Sequence, residues 1–561
     1  MQMDDTLYKA FLEELQSLEK FRMSYTALHP AAPLDREDQD VRRLIEALAF
    51  FSTRTRQAGQ RTLARSTMRL FQQHFSYLLN PVPAMAMVRA VPDARFVDAT
   101  ELPRGTPLLL NPGSASAPTG PLTFQTQASL RLLPISLSQV RVEQRGAEAC
   151  RLRLSFESGF PRNDAPGALR LYINHLNDFR SSLAMFHHLK HGVRTASVLF
   201  DERGAEVAVS PAERGQGPVR FGAPQLSASE AEPFEHPLQR VRSFIHFPQQ
   251  ELFLEVQVPP PPRNWRSFTL FLDLAGRWPL ELVLTPETFV LHAVPVVNLQ
   301  RGMSNPIEHD GTKERHGIQH PEVSSGYRVH SVLGVYKLGS QGMVPLRPGA
   351  ISGGPGTYEL EHAGQGGTRK TWLSLDLPGA FMKPARVAVE ASWHQPLPAQ
   401  FDASGYRAVL AERSLEGVQW SLVGAVKPGI DNPLEHTQQA LLQLLSLRTQ
   451  RFLGLDDLVF LLETLGVREQ RYFRDLVRHF ASVKVEPKPF ARSAAGFKYI
   501  YQFTLSAIDV TLLPTVDLFL ERFLDLLGAW STEEVVELEA NLSQLEKPLR
   551  YARSDGRSSN G

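Results

Sequence analysis

The stretch Phe289–Asp310, FVLHAVPVVNLQRGMSNPIEHD, constrains the fold more than any other part of the chain. It opens with an apolar run, Phe289–Val294, interrupted only by His292, which predicts a largely buried strand. Pro295 lacks the backbone donor that a ladder needs, so the strand is expected to end, bulge or lie at an edge there. Asn298, set between Val297 and Leu299, is a residue type whose side chain satisfies backbone groups in turns. Arg301-Gly302 and Asn305-Pro306 then impose irregular chain. The stretch reads as a core strand that hands over to an ordered, polar excursion.

The 561-residue chain is too long for one hydrophobic core and predicts several domains. Lys and Arg total 60 against 59 Asp and Glu, a balance that argues against a general nucleic-acid binder. Cys150 is the only cysteine, which excludes an intrachain disulfide and a cysteine metal cage and suits a reducing compartment. The opening MQMDDTLYKAFLEEL is acidic and amphipathic, unlike a secretory leader, and no run of ~18 apolar residues predicts a membrane span. The expected protein is soluble and cytoplasmic.

Leu7, Phe11, Leu15 and Leu18 recur at helical spacing, and His29-Pro30 with Pro33 should end that helix. A second helix is expected from about Asp38, with Val41, Leu44, Ile45 and Leu48 on one face. A third should carry Leu63, Leu70, Phe71, Phe75 and Leu78 and stop at Asn80-Pro81. Arg42, Arg43, Arg54, Arg56 and Arg61 are interleaved with Glu and Gln, the pattern of a solvated or protein-binding face rather than of a nucleic-acid track.

From Ala86 the texture changes to short alternating runs separated by Pro and Gly. Strands are expected at Pro107–Leu110, Phe124–Thr126, Leu130–Leu137, Arg151–Phe156, Leu169–Ile173 and Ser197–Phe200, with a turn at Leu102–Thr106 and a loop at Gly113–Pro121. A helix at Phe179–His188 brings His187, His188 and, beyond it, His191. Two histidines at i, i+4 have zinc-ligand geometry, but no third ligand follows at a recognisable spacing, so packed or surface histidines are the expectation. Pro259–Pro262 is stiff and extended and marks an expected domain boundary. Glu308, His309, Asp310, Glu314, His316, His320 and Glu322 crowd one region. Their spacing fits no metal template, and Gly311, Gly317 and Pro321 predict a solvated or interface loop.

Catalytic signatures are missing: there is no G-x-S-x-G elbow, no G-x-x-x-x-G-K-[ST] loop and no G-x-G-x-x-G after a strand. Gly353–Gly356 and Gly364–Thr368 read as hairpins and surface loops. Strands are expected at Arg328–Tyr336, Trp372–Leu377 and Ala385–Ala391. Helices follow from Leu434 through Leu445 and over Asp456–Leu465, where Asp456-Asp457 suit the positive end of the helix dipole. Leu476–Val485 and Phe497–Val510 should be strands. Val516–Leu527 should be an amphipathic helix whose Phe and Leu stripe is ordinary core in most proteins.

Several of these segments together resemble one family. "LHAVPVVNL…NPIEHD" is similar to the "LH-x-x-PVVNLF…EPI" stretch of TssF, also called VasA or ImpG, of the type VI secretion system. "LPRGTPL…FQTQASLRLLPISL" and Phe244–Phe253 match further segments, although Glu251 stands where the family has Lys. The opening helices, with Tyr8, His29-Pro30, Leu44–Phe50 and Phe71–Pro83, follow the family's order; only Gln395–Pro398 stands near its "NRDLP" signature. The resemblance runs from about Tyr8 to Leu542.

The resemblance implies a structural baseplate wedge subunit with no catalytic step, no cofactor and no metal. It implies assembly with TssG, TssE, TssK and other TssF copies around the VgrG spike, at the cytoplasmic face of the inner membrane, supporting sheath and tube assembly. A β-rich carbohydrate-active hydrolase, or a baseplate protein of another contractile injection particle, is the alternative. The expected fold is α+β and multidomain: a helical region over 1–85, β-rich domains over 86–258 (with an inserted helix) and 263–425, an α/β domain over 426–550, and a disordered tail over 551–561. Phe11, Leu15, Leu18, Phe519 and Phe523 are the expected partner-interface residues, since long amphipathic helices are common bundle elements.

Overall fold

The computed structural model describes residues 5–31, 34–35, 38–113, 120–146, 148–202, 204–211, 217–226, 236–261, 263–340, 342–349, 354–365, 368–431, 438–490, 497–531 and 535–552. It is an α+β chain that separates into two compact units: residues 1–76 with 436–446, and residues 77–435 with 447–561.

The first unit is built on α1 (Asp5–Leu28) and α2 (Gln39–Phe75). Asp38 caps α2 by accepting from the Asp40 N–H, and the following 37 residues stay helical without a break. The two separate helices expected over 38–78 are therefore one, because the segment holds no Pro and a single Gly. At 1.5 Å per residue α2 is about 55 Å long. Glu14 ties the two helices together, accepting from Ser52 Oγ at 2.7 Å and meeting Arg56 at 3.5 Å.

The second unit is organised around a closed barrel of six antiparallel strands. In order these are Met85–Pro92, Ala293–Val297, Leu122–Thr126, Pro107–Pro112, Tyr406–Leu410 and Val418–Lys427. Ala86, Val88, Leu108, Leu110, Leu122, Phe124, Val294 and Val296 alternate into its interior. The barrel joins residues 85 to 427, so the expected cut at Pro259–Pro262 does not divide the sheets. That run links strand Phe253–Val258 to strand Trp265–Ala275, and the latter pairs backwards with Ala149–Arg162 and Val193–Phe200.

The stretch Phe289–Asp310 begins with two strands, Phe289–Leu291 and Ala293–Val297, and the break falls at His292, not at Pro295. His292 has φ 54°, a left-handed conformation that sends the two halves into different sheets: Phe289–Leu291 pairs with Gly167–Ile173, while Ala293–Val297 enters the barrel. Pro295 is tolerated because the Leu122–Thr126 ladder pairs only with Val296 and Val297. The missing N–H points past its end, while the Pro295 carbonyl accepts from Gln127 N–H at 2.9 Å.

Two further sheets pack as a sandwich. Strand Ala385–His394 pairs with Arg328–Gly339, Gln300–Met303 and Ile307–His309; Thr368–Asp376 pairs with Thr357–Gln365 and His316–Gly317. Val335, Leu373, Val387, Val389 and Trp393 fill the space between them. Asn298 fastens this sandwich to the barrel. Its Nδ2 donates to the Thr123 carbonyl at 2.8 Å, and its Oδ1 accepts from Gln395 N–H at 2.7 Å. Gln395 Oε1 in turn accepts from Thr123 N–H at 2.8 Å.

The solvated or interface loop expected over 308–322 is found at 310–315, most of which is exposed and outside any strand, but the histidines on either side of it are drawn into this sandwich. His309, His316 and His320 are all buried, with His309 Nδ1 and His316 Nε2 at 2.9 Å and the His320 ring edge-on to Trp393.

Six more helices are found among the described residues: α3 (Phe179–Gly192), α4 (Pro237–His246), α5 (Gln438–Arg448), α6 (Leu455–Thr464), α7 (Arg471–Val477) and α8 (Leu513–Trp530). Strands Phe497–Leu505 and Val535–Leu542 are parallel and joined through α8, a crossover that the expected mixed α/β C-terminal region did not specify. Leu549–Ala552 adds an antiparallel edge strand, so the first residues of the expected disordered tail are ordered; 553–561 lie outside the described residues, as do Leu434 and the middle of the 113–121 loop.

Candidate functional site

The first unit presents an apolar surface that its own two long helices do not cover. Phe11, Leu15 and Leu18 lie half-buried, while Ile45, Ala49, Phe71 and Phe75 are buried. Leu44 and Leu48, expected to share the buried face of Ile45, are instead 63% and 51% exposed, and Phe51 is 66% exposed. These three recur at i, i+4 and i+7 and so form one stripe. On α1, Tyr8, Leu12 and Phe21 are also exposed. The basic residues nearby are partnered: Arg42 meets Glu46 at 3.0 Å, Arg43 meets Asp40 at 4.0 Å and the Arg54 guanidinium lies over Phe50. The surface is therefore apolar with compensated charge, the character of a protein interface.

Phe519 and Phe523 do not belong to such a surface. Both are buried on α8, where Phe519 meets Phe473 at 5.2 Å and Phe523 meets Phe503 at 5.4 Å between ring centroids. Their side chains hold α8 against α7 and the C-terminal sheet, so of the five expected interface residues only Phe11, Leu15 and Leu18 keep their side chains partly at the surface.

A second arrangement is polar. Asp178 caps α3 by accepting from Ser181 N–H, and the helix then carries His187 and His191 one turn apart, ring centroids 4.4 Å from each other. Facing them on α8 is Asp517. Its Oδ2 lies 3.0 Å from His191 Nε2, 3.9 Å from His187 Nε2 and 3.3 Å from Lys190 Nζ; its Oδ1 accepts from the Tyr551 hydroxyl at 2.8 Å. Lys190 also donates to Glu521 at 2.8 Å. Burial pushes the His187 imidazole down to about 4, whereas Asp517, despite its burial, is held well below the usual carboxylate range by His191, Lys190 and Tyr551.

Among the described residues, His187, His191 and Asp517 are the grouping of three His, Cys, Asp or Glu side chains close enough to share one ion. The histidine spacing is legible in the sequence; the carboxylate is not, because it lies 326 residues from His191. In the sandwich, His309 and His316 face each other without a carboxylate, since Asp310 is occupied by the Thr312 N–H and hydroxyl.

The sequence profile described as "Type VI secretion system, TssF" matches residues 3–359. The chain belongs to the TssF family. No curated protein matches it. Among solved structures, it is similar to a chain of the "Structure of the type VI secretion system TssK-TssF-TssG baseplate subcomplex revealed by cryo-electron microscopy", with a TM-score of 0.74 at 16% identity, covering 93% of this chain and 100% of that one. It is also similar to a chain of "The baseplate complex from the type VI secretion system", with a TM-score of 0.58 at 15% identity, covering 98% of each. At these identities the likeness is one of fold. It extends across the C-terminal third of this TssF-family chain, beyond the segment that the profile matches. No helix among the described residues is long and apolar enough to cross a membrane.

Proposed function

We propose that this TssF-family chain is a structural subunit of a type VI secretion baseplate, acting by holding partners in place rather than by catalysis. The observation that carries the reading is the family match over residues 3–359 in a chain whose N-terminal helices leave an apolar stripe uncovered. A stripe of three large apolar residues with paired charges around it suits burial in a helical bundle with other chains. TssG and TssK, which accompany TssF in the similar subcomplex, are the first partners proposed, followed by further TssF copies, TssE and the VgrG spike. The proposed location is the cytoplasm, at the inner face of the inner membrane, where the assembled baseplate would support sheath and tube growth.

The test is co-purification of this chain with a co-expressed TssG-family protein from the same organism. Wild-type chain should retain TssG through gel filtration, and Leu48→Glu with Phe51→Glu should release it. Phe11→Glu and Leu15→Glu, which touch the half-buried face, should do the same. All six tryptophans lie between residues 265 and 530, so their fluorescence reports separately that the second unit remains folded. Retention of TssG by the doubly charged variant would overturn the interface, and failure of the wild type to bind any baseplate component would overturn the baseplate role.

A further inference from the structure

We propose that His187, His191 and Asp517 form a binding site for a divalent transition-metal ion of the zinc class, joining α3 to α8 inside the second unit. Two imidazoles and one carboxylate are a donor set suited to zinc, nickel or cobalt rather than to magnesium or calcium. A tetrahedral ion with bonds of about 2.0–2.1 Å sets its ligand atoms roughly 3.3–3.5 Å apart. Here Asp517 Oδ2 lies 3.0 Å from His191 Nε2 and 3.9 Å from His187 Nε2, with all three donor atoms within 4.8 Å of one another. Small χ rotations close that difference.

The surroundings are those of a built site. The Asp517 side chain is 8% exposed, and its second oxygen is anchored by Tyr551, so the carboxylate is held in one orientation as metal-bound carboxylates usually are. His191 is 54% exposed, which gives it freedom to adjust and leaves a path for the ion and for a water ligand. Asp517 and Glu521 against Lys190 leave one uncompensated negative charge when both histidines are neutral, so the pocket attracts a cation.

Lys190 is the feature that sets the strength of the site. Its ammonium shares Asp517 Oδ2 with the incoming ion and must give that contact up, while Glu521, 2.8 Å away, keeps it paired. The lysine and the metal therefore compete for one oxygen, and removing the lysine should tighten binding.

The experiment is calorimetric titration of zinc chloride into tag-free, chelator-stripped full-length chain, with cobalt absorption as a second readout. The expected result is one equivalent of zinc per chain and a tetrahedral cobalt spectrum. His187→Ala and His191→Ala should each weaken binding at least tenfold, and Lys190→Met should strengthen it. Far-UV dichroism and tryptophan fluorescence verify that each variant is folded; because His191 is largely in solvent, its variant carries the test even if His187→Ala unfolds. Absence of saturable zinc binding by the wild type would overturn the site. So would unchanged affinity in folded His191→Ala, which would assign the metal to other groups; weaker binding by Lys190→Met would overturn the competition, making Lys190 a support.

Discussion

His292 makes the stability of the second unit depend on acid in a way that one substitution can isolate. The imidazole is wholly enclosed where the chain leaves one sheet for the barrel. Its Nε2 accepts from Leu133 N–H at 3.1 Å, and the His292 backbone carbonyl accepts from Ala90 N–H at 3.1 Å. Burial pushes it down to about 3, against 6.5 for a free histidine. The unfolded chain therefore binds a proton at a pH where the folded chain does not. The contribution is complete above pH 6.5 and is lost progressively as pH falls from there towards 3. At pH 4.5 the two pKa values give a loss of about 2–3 kcal/mol relative to pH 8, at ~1.4 kcal/mol per pH unit. His292→Asn keeps a residue that accepts the left-handed backbone and cannot titrate. Guanidinium unfolding followed by tryptophan fluorescence, at half-unit steps from pH 8 to 4.5, should show the variant less stable at pH 8. The gap should then narrow by about 2–3 kcal/mol at pH 4.5, because every other titrating group is common to both proteins. Parallel curves across that range would refute the account, since they would mean that His292 takes up its proton equally in both states.

Three other perturbations follow from the packing. Arg522→Ala removes the partner 2.8 Å from buried Glu251, leaving the carboxylate to the Ala223 N–H, and should cost about 3–5 kcal/mol. Arg522→Met with Glu251→Gln should recover most of that loss in the same denaturant assay. Asn298→Ala orphans the Thr123 carbonyl and the Gln395 N–H where the barrel meets the sandwich, for about 2–4 kcal/mol in unfolding free energy. Gly417 has φ 75°, and a Cβ there would sit 2.5 Å from the Phe96 backbone nitrogen, so Gly417→Ala should cost about 2 kcal/mol or more and lower the thermal midpoint.

What the sequence disclosed and what it hid divide along physical lines. Amphipathic spacing placed α1, α6 and α8 to within a few residues, because a helix that buries one face must repeat at 3.6 residues wherever it lies. It did not say what covers that face. Phe519 and Phe523 on α8 and the Leu44, Leu48 and Phe51 stripe on α2 have the same apolar character. The first is filled by Phe473, Phe480 and Phe503, the second is left open, and only topology separates them. At Phe289–Val297 the visible signal, Pro295, marked where the Leu122–Thr126 ladder ends but not where the strand itself breaks. A proline disrupts a ladder only if its nitrogen faces a paired strand, and here the neighbouring ladder has already ended. The actual break, at His292, rests on a left-handed backbone that the enclosing sheets impose, together with the hydrogen bonds from Leu133 N–H to the ring and from Ala90 N–H to the backbone carbonyl.

The same reasoning governs the polar groups. His309, His316 and His320 sit among glycines and charges that suggest water, yet the sandwich encloses them. Strands Ile307–His309 and His316–Gly317 are drawn in by partners far along the chain, Ala385–Val387 and Trp372-Leu373. His187 and His191 show half of a ligand set at the spacing a helix dictates. The other half arrives on α8, carried there by the same Phe and Leu stripe that packs the helix against the sheet. Asp517 lies two residues before Phe519, turned towards α3 instead of α7. The hydrophobic face of α8 thus fixes where its one buried carboxylate points, so the packing of the core and the assembly of the polar cluster are a single event. A substitution that loosens the core here, such as Phe519→Ala, should therefore disturb the His191–Asp517 hydrogen bond as well as cost about 3–5 kcal/mol of stability. Zinc bound at the proposed site should raise the thermal midpoint of the wild type; loss of that rise in a still-folded Phe519→Ala chain would be the sign of the coupling, and an undiminished rise would separate the two.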